Sequence, residues 1–198
     1  MIIIPRRAHR KYIYGPDILQ ELLTFVYSTN QYNSFDSLKF SCRDVIRGAC
    51  IFEPIEDFKS NADYKAILNF KSASTQGAVG VIEKAIDSIP SINYDEDLVV
   101  QESIINADGT WSMSNFDRSV SFIHVAVALN KKMLTNLVEM PDGYKWSFAK
   151  LVAKNYDVQL LKAKDTLTLS FQGEFNKTLF KSSIKDLGDI YFYLDKIK

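Results

Sequence analysis

The stretch SNFDRSVSFIHVAVALN, residues 114–130, decides the fold, because it predicts a helix without a polar side. From residue 120 onwards, one helical face carries two valines, an isoleucine and His124, and another carries phenylalanine, alanine and leucine. A helix that is apolar nearly all round is a buried helix. We predict that this helix begins near Asp117 and that a curved antiparallel sheet surrounds it.

The composition is that of a folded globular protein. Of the 198 residues, 46% are hydrophobic and 24% are charged. The 24 basic residues balance the 24 acidic ones, so no net field attracts nucleic acid. No run approaches the ~20 apolar residues of a membrane span, and the start, MIIIPRRAHRK, has the reverse order of an export signal. We therefore predict a cytoplasmic protein that binds neither nucleic acid nor a membrane.

The two cysteines, Cys42 and Cys50, have no further cysteine or histidine at the spacing of a metal site. Without an export signal, we expect both thiols to be reduced and buried. Nothing else in the sequence has the spacing of metal ligands, so we predict no metal and no cofactor.

The first half of the chain predicts one helix followed by strands. Residues Tyr12–Tyr14 predict a short strand, Gly15 breaks it, and Pro16 suits the first position of a helix. The apolar residues of ILQELLTFV then recur at helical spacing. After this helix the period changes to two, as in YKAILNF at 64–70.

The second half repeats this order. Residues 98–105, LVVQESII, predict a strand, and the Asp108–Gly109 turn leads into a second one. After the central helix, YDVQLL at 156–161 and TLTLSF at 166–171 predict further strands, and TLTLSF has the clearest alternation. The strands lie too close in sequence for parallel crossovers, so we predict an α+β fold. We expect two halves, 1–90 and 91–198, forming one compact unit.

This order of elements resembles that of double-hotdog proteins, in which each repeat wraps a sheet around a helix. Two segments carry the resemblance, IYGPDILQELL at 13–23 and YKWSFAKLVAKNYDVQLLKAKDTLTLSF at 144–171. They are similar to segments of double-hotdog acyltransferase/decarboxylases from polyketide pathways. The wider group acts on acyl groups held as thioesters on coenzyme A or acyl carrier protein.

The resemblance implies that the chain binds or acts on acyl-CoA or acyl carrier protein in fatty-acid or polyketide-like metabolism. The implied reactions are those of a thioester hydrolase, an acyltransferase/decarboxylase or a dehydratase. Against dehydration, SNFDRS at 114–119 lacks the Gly-His-Phe-Pro-like turn of hotdog dehydratases. The alternative is a catalytically silent scaffold or interaction subunit of a larger complex. A homodimer is compatible with either function.

Two turns are candidate positions for a thioester carbonyl. A helix N-terminus offers unpaired N–H groups and partial positive charge, which can stabilise a developing oxyanion. The predicted substrate-binding residues are Tyr14 and Gly15 before the first helix, and Asn115 and Ser119 before the second.

Asp117 and His124 are the predicted catalytic residues, each with an alternative role. Asp117 can act as a general base or nucleophile, or it can cap the helix. On one helix the two residues would lie ~10.5 Å apart along the axis, so they would not form a dyad. His124 therefore either lines a pocket or is a hydrogen-bonded core residue.

The segment PRRAHRKY at 5–12 concentrates positive charge. Its cations can grip the phosphates of a coenzyme or the acidic face of a carrier protein. A solvated, frayed terminus is the alternative. The residues concerned are Arg6, Arg7, Arg10 and Lys11.

Overall fold

In the computed structural model, the described part of the chain packs as two units. The first comprises residues 1–94 and 154–156, and the second residues 95–153 and 157–198. That residues 1–90 and 91–198 are two repeats of the same fold remains a prediction. The described residues are 1–7, 10–30, 34–56, 63–73, 75–117, 119–176 and 178–196.

The first unit contains a long helix and an antiparallel sheet. The helix α1 packs on the strand β4, and the described strands have the order β3-β5-β4-β2. A short parallel pair, β1 with β6, lies outside this sheet. The elements are β1 (Arg6–Arg7), α1 (Gly15–Asn30), β2 (Ser34–Cys42), β3 (Ala49–Pro54), β4 (Ala66–Ser72), β5 (Thr75–Lys84) and β6 (Ser91–Ile92).

Helix α1 begins at Gly15, with Pro16 in its first turn, as the sequence indicates. Its apolar side chains form one buried stripe, which includes Ile18, Leu19 and Leu22. The strand predicted immediately before it is wrong. The Tyr14 carbonyl already accepts from two amides of the helix's first turn, so the backbone here leads into a helix.

The second unit also pairs a long helix with an antiparallel sheet. Its described strands have the order β9-β12-β11-β10-β8-β7, and α3 packs on β8 and β10. The elements are α2 (Glu96–Val99), β7 (Ile104–Ile105), β8 (Trp111–Ser114), α3 (Phe122–Leu137), β9 (Tyr144–Asp157), α4 (Val158–Ala163), β10 (Thr166–Asn176), β11 (Leu179–Ile184) and β12 (Gly188–Lys196).

Helix α3 is the buried helix that the opening stretch predicts. Every residue from Phe122 to Asn130 is buried, and β10, which contains TLTLSF, packs against it. Its predicted start near Asp117 is wrong, because Ser121 caps the helix and Phe122 is its first residue. Asn115, with φ of 56°, turns the chain away from β8 instead.

Two predicted strands of the second half are partly helical. In residues 98–105 only Ile104–Ile105 is a strand, because the Asp95 carboxylate caps the short helix α2. In the same way Asp157 caps α4, so residues 158–161 are helical. The Asp108–Gly109 turn is as predicted, and Gly109 has the positive φ, 78°, that favours glycine.

Each unit is thus a helix packed on an antiparallel sheet, which confirms the α+β class and the hotdog arrangement predicted from the sequence.

Both cysteines are free thiols. Burial raises the pKa of Cys50 to about 12, which makes this thiol unreactive at neutral pH. No helix in the described chain combines the length and the apolar character needed to cross a bilayer.

Candidate functional site

The N-terminus of α3 brings a hydroxyl and an imidazole into contact. Ser121 Oγ accepts a hydrogen bond from the backbone N–H of His124 at 3.4 Å. The same oxygen lies 2.6 Å from His124 Nδ1. His124 is buried, with 3% of its surface exposed, whereas Ser121 is half-buried. The pair therefore lies at the boundary between the core and the surface.

This contact has the geometry of a nucleophile and its base. When the hydroxyl donates to Nδ1, the imidazole is placed to accept the Ser121 proton. The first turn of α3 adds its partial positive charge, which favours negative charge developing on a nearby carbonyl oxygen. The sequence analysis missed Ser121. The available signal was a serine at the capping position immediately before an apolar run.

The predicted residues of the preceding loop are exposed, and they bond to one another or to a neighbouring segment. The carboxylate of Asp117 accepts from the Ser119 backbone N–H at 2.8 Å and from the Ser119 hydroxyl at 2.7 Å. These two bonds lower the pKa of Asp117 below its ordinary value. The Asn115 N–H donates to the carbonyl of Asp165 at 3.0 Å.

Asp117 and His124 do not lie on one helix, so the separation predicted along a shared helix axis does not apply to them. Asp117 lies in the loop, four residues before the α3 cap. The structure brings His124 together with Ser121 instead. The catalytic roles of Asp117 and His124 remain predictions.

A pocket of about 160 Å³ adjoins the first turn of α3. Phe122 contributes the helix side of the pocket, and the start of β10 contributes the opposite wall. Its charged lining residues are Lys185 and the ion pair of Lys164 with Asp186, whose Nζ and Oδ2 lie 3.4 Å apart. The described lining residues are Phe122, Lys164, Thr166, Leu167, Thr168, Lys185 and Asp186.

Asn130, in the third turn of α3, is a second residue that the sequence analysis missed. Its side chain is fully buried, and neither amide atom has a hydrogen-bond partner among the described residues. Ser182 Oγ on β11 is also buried without a hydrogen-bond partner among the described residues. A buried amide without a partner is rare and costly in native proteins. Asn130 does not line the pocket at the first turn of α3.

In the first unit, the N-terminus of α1 holds an ion pair between Arg7 and Asp17. Arg7 Nε lies 2.9 Å from Asp17 Oδ2, and Arg7 Nη2 lies 2.5 Å from Oδ1. This bond to Asp17 raises the pKa of Arg7. The guanidinium also lies over the ring of Tyr94, 4.5 Å from its centroid. Arg7 is thus held in place by the helix start.

The other predicted phosphate contacts differ in their surroundings. Arg10 lies over the Tyr14 ring at 4.5 Å from its centroid and donates to the Tyr12 hydroxyl at 3.1 Å. Arg6 donates to the carbonyl of Arg47 at 2.8 Å. Lys11 is exposed. These contacts hold the arginine side chains in fixed positions, and the phosphate role of the segment stays a prediction.

Tyr14 and Gly15, the predicted substrate-binding residues of this unit, lie at the start of α1. Tyr14 is 5% exposed, and its ring centroid is 5.9 Å from that of Tyr94. Gly15 is the first residue of the helix and is half-buried. Their contacts with a substrate remain a prediction.

Over the described ranges, no three His, Cys, Asp or Glu side chains come together as metal ligands.

We expect Asp17→Asn to lower the free energy of unfolding by about 2–3 kcal/mol, measured by urea denaturation. Breaking a fully buried pair costs roughly 3–5 kcal/mol, and this pair is slightly exposed, at 20% and 11%. Asp44→Asn is the control, because the Asp44–Lys65 pair is exposed and screened by solvent. Equal losses in the two variants would contradict a stabilising role for the Arg7–Asp17 pair.

Solved structures share the architecture at low sequence identity. The tesB protein of Mycobacterium avium subspecies paratuberculosis has a TM-score of 0.51 and 9% identity, over 96% of this chain and 91% of that one. A thioesterase II candidate from Thermobifida fusca YX has a TM-score of 0.49 and 7% identity, over 96% and 88%. A hotdog-fold protein of unknown function from Alicyclobacillus acidocaldarius has 0.40 and 10%, over 95% and 89%.

No protein-family model matches the sequence, and no curated protein matches it. At 9% identity, the likeness to the Mycobacterium protein concerns the fold alone. Together with a helix packed on an antiparallel sheet in each unit, it supports one conclusion: the chain has a double hotdog fold.

Proposed function

We propose that the protein binds acyl thioesters of coenzyme A or acyl carrier protein at the N-terminus of α3 and transfers their acyl group. The observation that carries this proposal is the 2.6 Å contact between Ser121 Oγ and His124 Nδ1 at the start of a buried helix. A half-buried hydroxyl next to an imidazole is suited to attack on an activated carbonyl.

The reaction has two steps at this pair. Ser121 Oγ attacks the thioester carbonyl carbon, and its proton passes to His124 Nδ1. The C–S bond then breaks, and the sulfur leaves as a thiol with that proton, so the acyl group is held on Ser121. Water, or an acceptor hydroxyl or amine, attacks this ester while His124 takes its proton and returns it to Ser121. Water as the acceptor makes the protein a hydrolase.

The pocket beside Phe122 provides room for the part of the ligand next to the thioester. Lys185, which lines this pocket beside the Lys164–Asp186 pair, is suited to contact a phosphate of a coenzyme or carrier. In the first unit, the segment with Arg6, Arg7, Arg10 and Lys11 is a separate candidate for binding the phosphates of a coenzyme or the acidic face of a carrier protein. Location in the cytoplasm, the reduced compartment in which such thioesters occur, is part of the proposal.

The experiment that tests this proposal is a panel of acyl-CoA and acyl-carrier substrates of increasing chain length, incubated with the full chain and analysed by mass spectrometry. We expect free thiol and free acid to appear, together with an acylated form of the protein at early times. Neither turnover nor acylation across the panel would overturn the enzyme proposal.

A catalytically silent scaffold is the second candidate, and one observation favours it. Two carboxylates that could have acted on a substrate bond to other side chains instead, Asp117 in the loop before α3 to Ser119 and Asp17 in the first turn of α1 to Arg7. Neither is arranged to activate a water molecule. A panel without turnover, in which an acyl carrier protein nevertheless binds, would select this function.

A further inference from the structure

The outer face of the sheet in the first unit carries polar side chains that the sequence analysis did not single out. Strand residues alternate between faces, and on β2 the side chains of Leu38 and Phe40 lie in the core. Lys39 and Ser41, between and after them, therefore point to the opposite face. On the neighbouring strand β4, Asn69 pairs with Lys39, and Ile67 pairs with Ser41.

Tyr64 closes one side of this face. Ile67 pairs with Gly80 on β5, and the Tyr64 ring lies directly against Gly80, where a Cβ would overlap it. The absence of a side chain at Gly80 thus allows the tyrosine to lie flat on the sheet. The result is a pocket of about 170 Å³, lined by Lys39, Ser41, Arg43, Ile55, Tyr64, Ile67 and Asn69.

The charged residues that the structure describes in the lining of this pocket are all positive. Two of its lining residues, Lys39 and Arg43, are cations, and none of the described lining residues is a carboxylate. The adjacent acids Asp44 and Asp63 pair instead with Lys65, at 2.8 Å and 3.7 Å. The Lys65 bond lowers the pKa of Asp44, so this carboxylate is ionised and paired at neutral pH. Neither lining cation has an ion-pair partner among the described residues.

We infer that this pocket binds a small molecule bearing a phosphate group. Ammonium, guanidinium, hydroxyl and amide donors meet there from two strands and a loop, which suits a tetrahedral anion with several acceptor oxygens. Its volume is below the roughly 300–1,000 Å³ of pockets for drug-sized ligands, so the ligand is a phosphate ion, a pyrophosphate or a small phosphate ester. The site is separate from the Ser121–His124 pair and does not depend on the proposed function.

Isothermal titration calorimetry of the full chain at low ionic strength tests this inference, with inorganic phosphate, pyrophosphate, glycerol 3-phosphate and citrate as probes. We expect binding of one phosphate-bearing probe per chain, tighter than citrate and weakened by added salt. Lys39→Gln and Arg43→Gln should each reduce the affinity about tenfold, because each removes a charge-assisted contact. The preferred phosphate probe distinguishes the free ion from an ester.

Lys71→Gln is the matched control. Lys71 lies on β4 with the same parity as Asn69, but it does not line the pocket. We expect its affinity to stay within about twofold of the unmodified chain, because a single exposed charge outside the pocket contributes little. Gly80→Ala should reduce the affinity by displacing the Tyr64 ring. Absence of phosphate binding, an equal loss in Lys71→Gln, or citrate binding as tightly as phosphate would each overturn the inference.

Discussion

Ser121→Asn and His124→Gln are each expected to lower kcat on an acyl thioester by roughly 10²–10⁴-fold, the usual contribution of positioned acid–base groups. Asparagine caps a helix about as well as serine, so Ser121→Asn should keep the thermal stability while removing the hydroxyl. Steady-state kinetics of thiol release measures the first effect, and thermal denaturation measures the second.

The control for this pair is Ser119→Ala in the preceding loop. Ser119 is exposed and bonds to Asp117 rather than to His124. If the Ser121–His124 pair performs the chemistry, this variant and Asp117→Asn should retain nearly full turnover, and the predicted roles of Ser119 in substrate binding and of Asp117 in catalysis would then be wrong. Retained turnover in Ser121→Asn, with a loss in Asp117→Asn, would instead assign the chemistry to the loop carboxylate.

Val127→Asp is expected to leave the chain unfolded. Val127 is 1% exposed and lies in the middle of α3, where an ionised carboxylate would be buried without a counter-charge. The loss should exceed about 4 kcal/mol, which is more than most single substitutions cost. Circular dichroism and urea denaturation measure this loss.

Thr135→Asp is the control for the same helix. Thr135 is exposed in the last turn of α3, where an acidic residue is mildly unfavourable because of the helix dipole, by about 1 kcal/mol or less. A cooperative, near-native transition in Val127→Asp would show that the middle of α3 does not lie in the core.

The fold class could be predicted because the spacing of apolar residues along the sequence indicates which faces of a helix or strand are buried. The apolar run after Ser121 has no polar side, and TLTLSF alternates cleanly, so a helix packed on a sheet follows from these two segments. The first residue of α3 was harder to predict, because aspartate and serine both commonly cap helices and either Asp117 or Ser121 could have done so. The choice between them depends on which hydrogen bonds form, and the Asp117 carboxylate bonds to Ser119 instead. The strand predicted at 98–105 forms only at Ile104–Ile105 for a similar reason, because the Asp95 cap starts a short helix at the beginning of this apolar segment.

The candidate site was only partly predictable. His124 was identified because a histidine interrupts an apolar stretch, but its contact with Ser121 depends on where the helix begins. Asn130 was visible in the same stretch, but that its side chain finds no hydrogen-bond partner within the described part of the chain is a property of packing. The pocket around Lys39 and Tyr64 depends on strand register, which alternation alone does not determine.

Residues 154–156, the end of β9, belong to the first unit, although about sixty residues of the second unit separate them from residue 94. During synthesis on the ribosome, the first unit therefore remains incomplete until residue 156 has emerged. A gene cut after codon 94 would encode a fragment without one of its own segments, and supplying residues 95–198 separately would have to restore it by association. The first unit is therefore not encoded by one continuous segment of the gene.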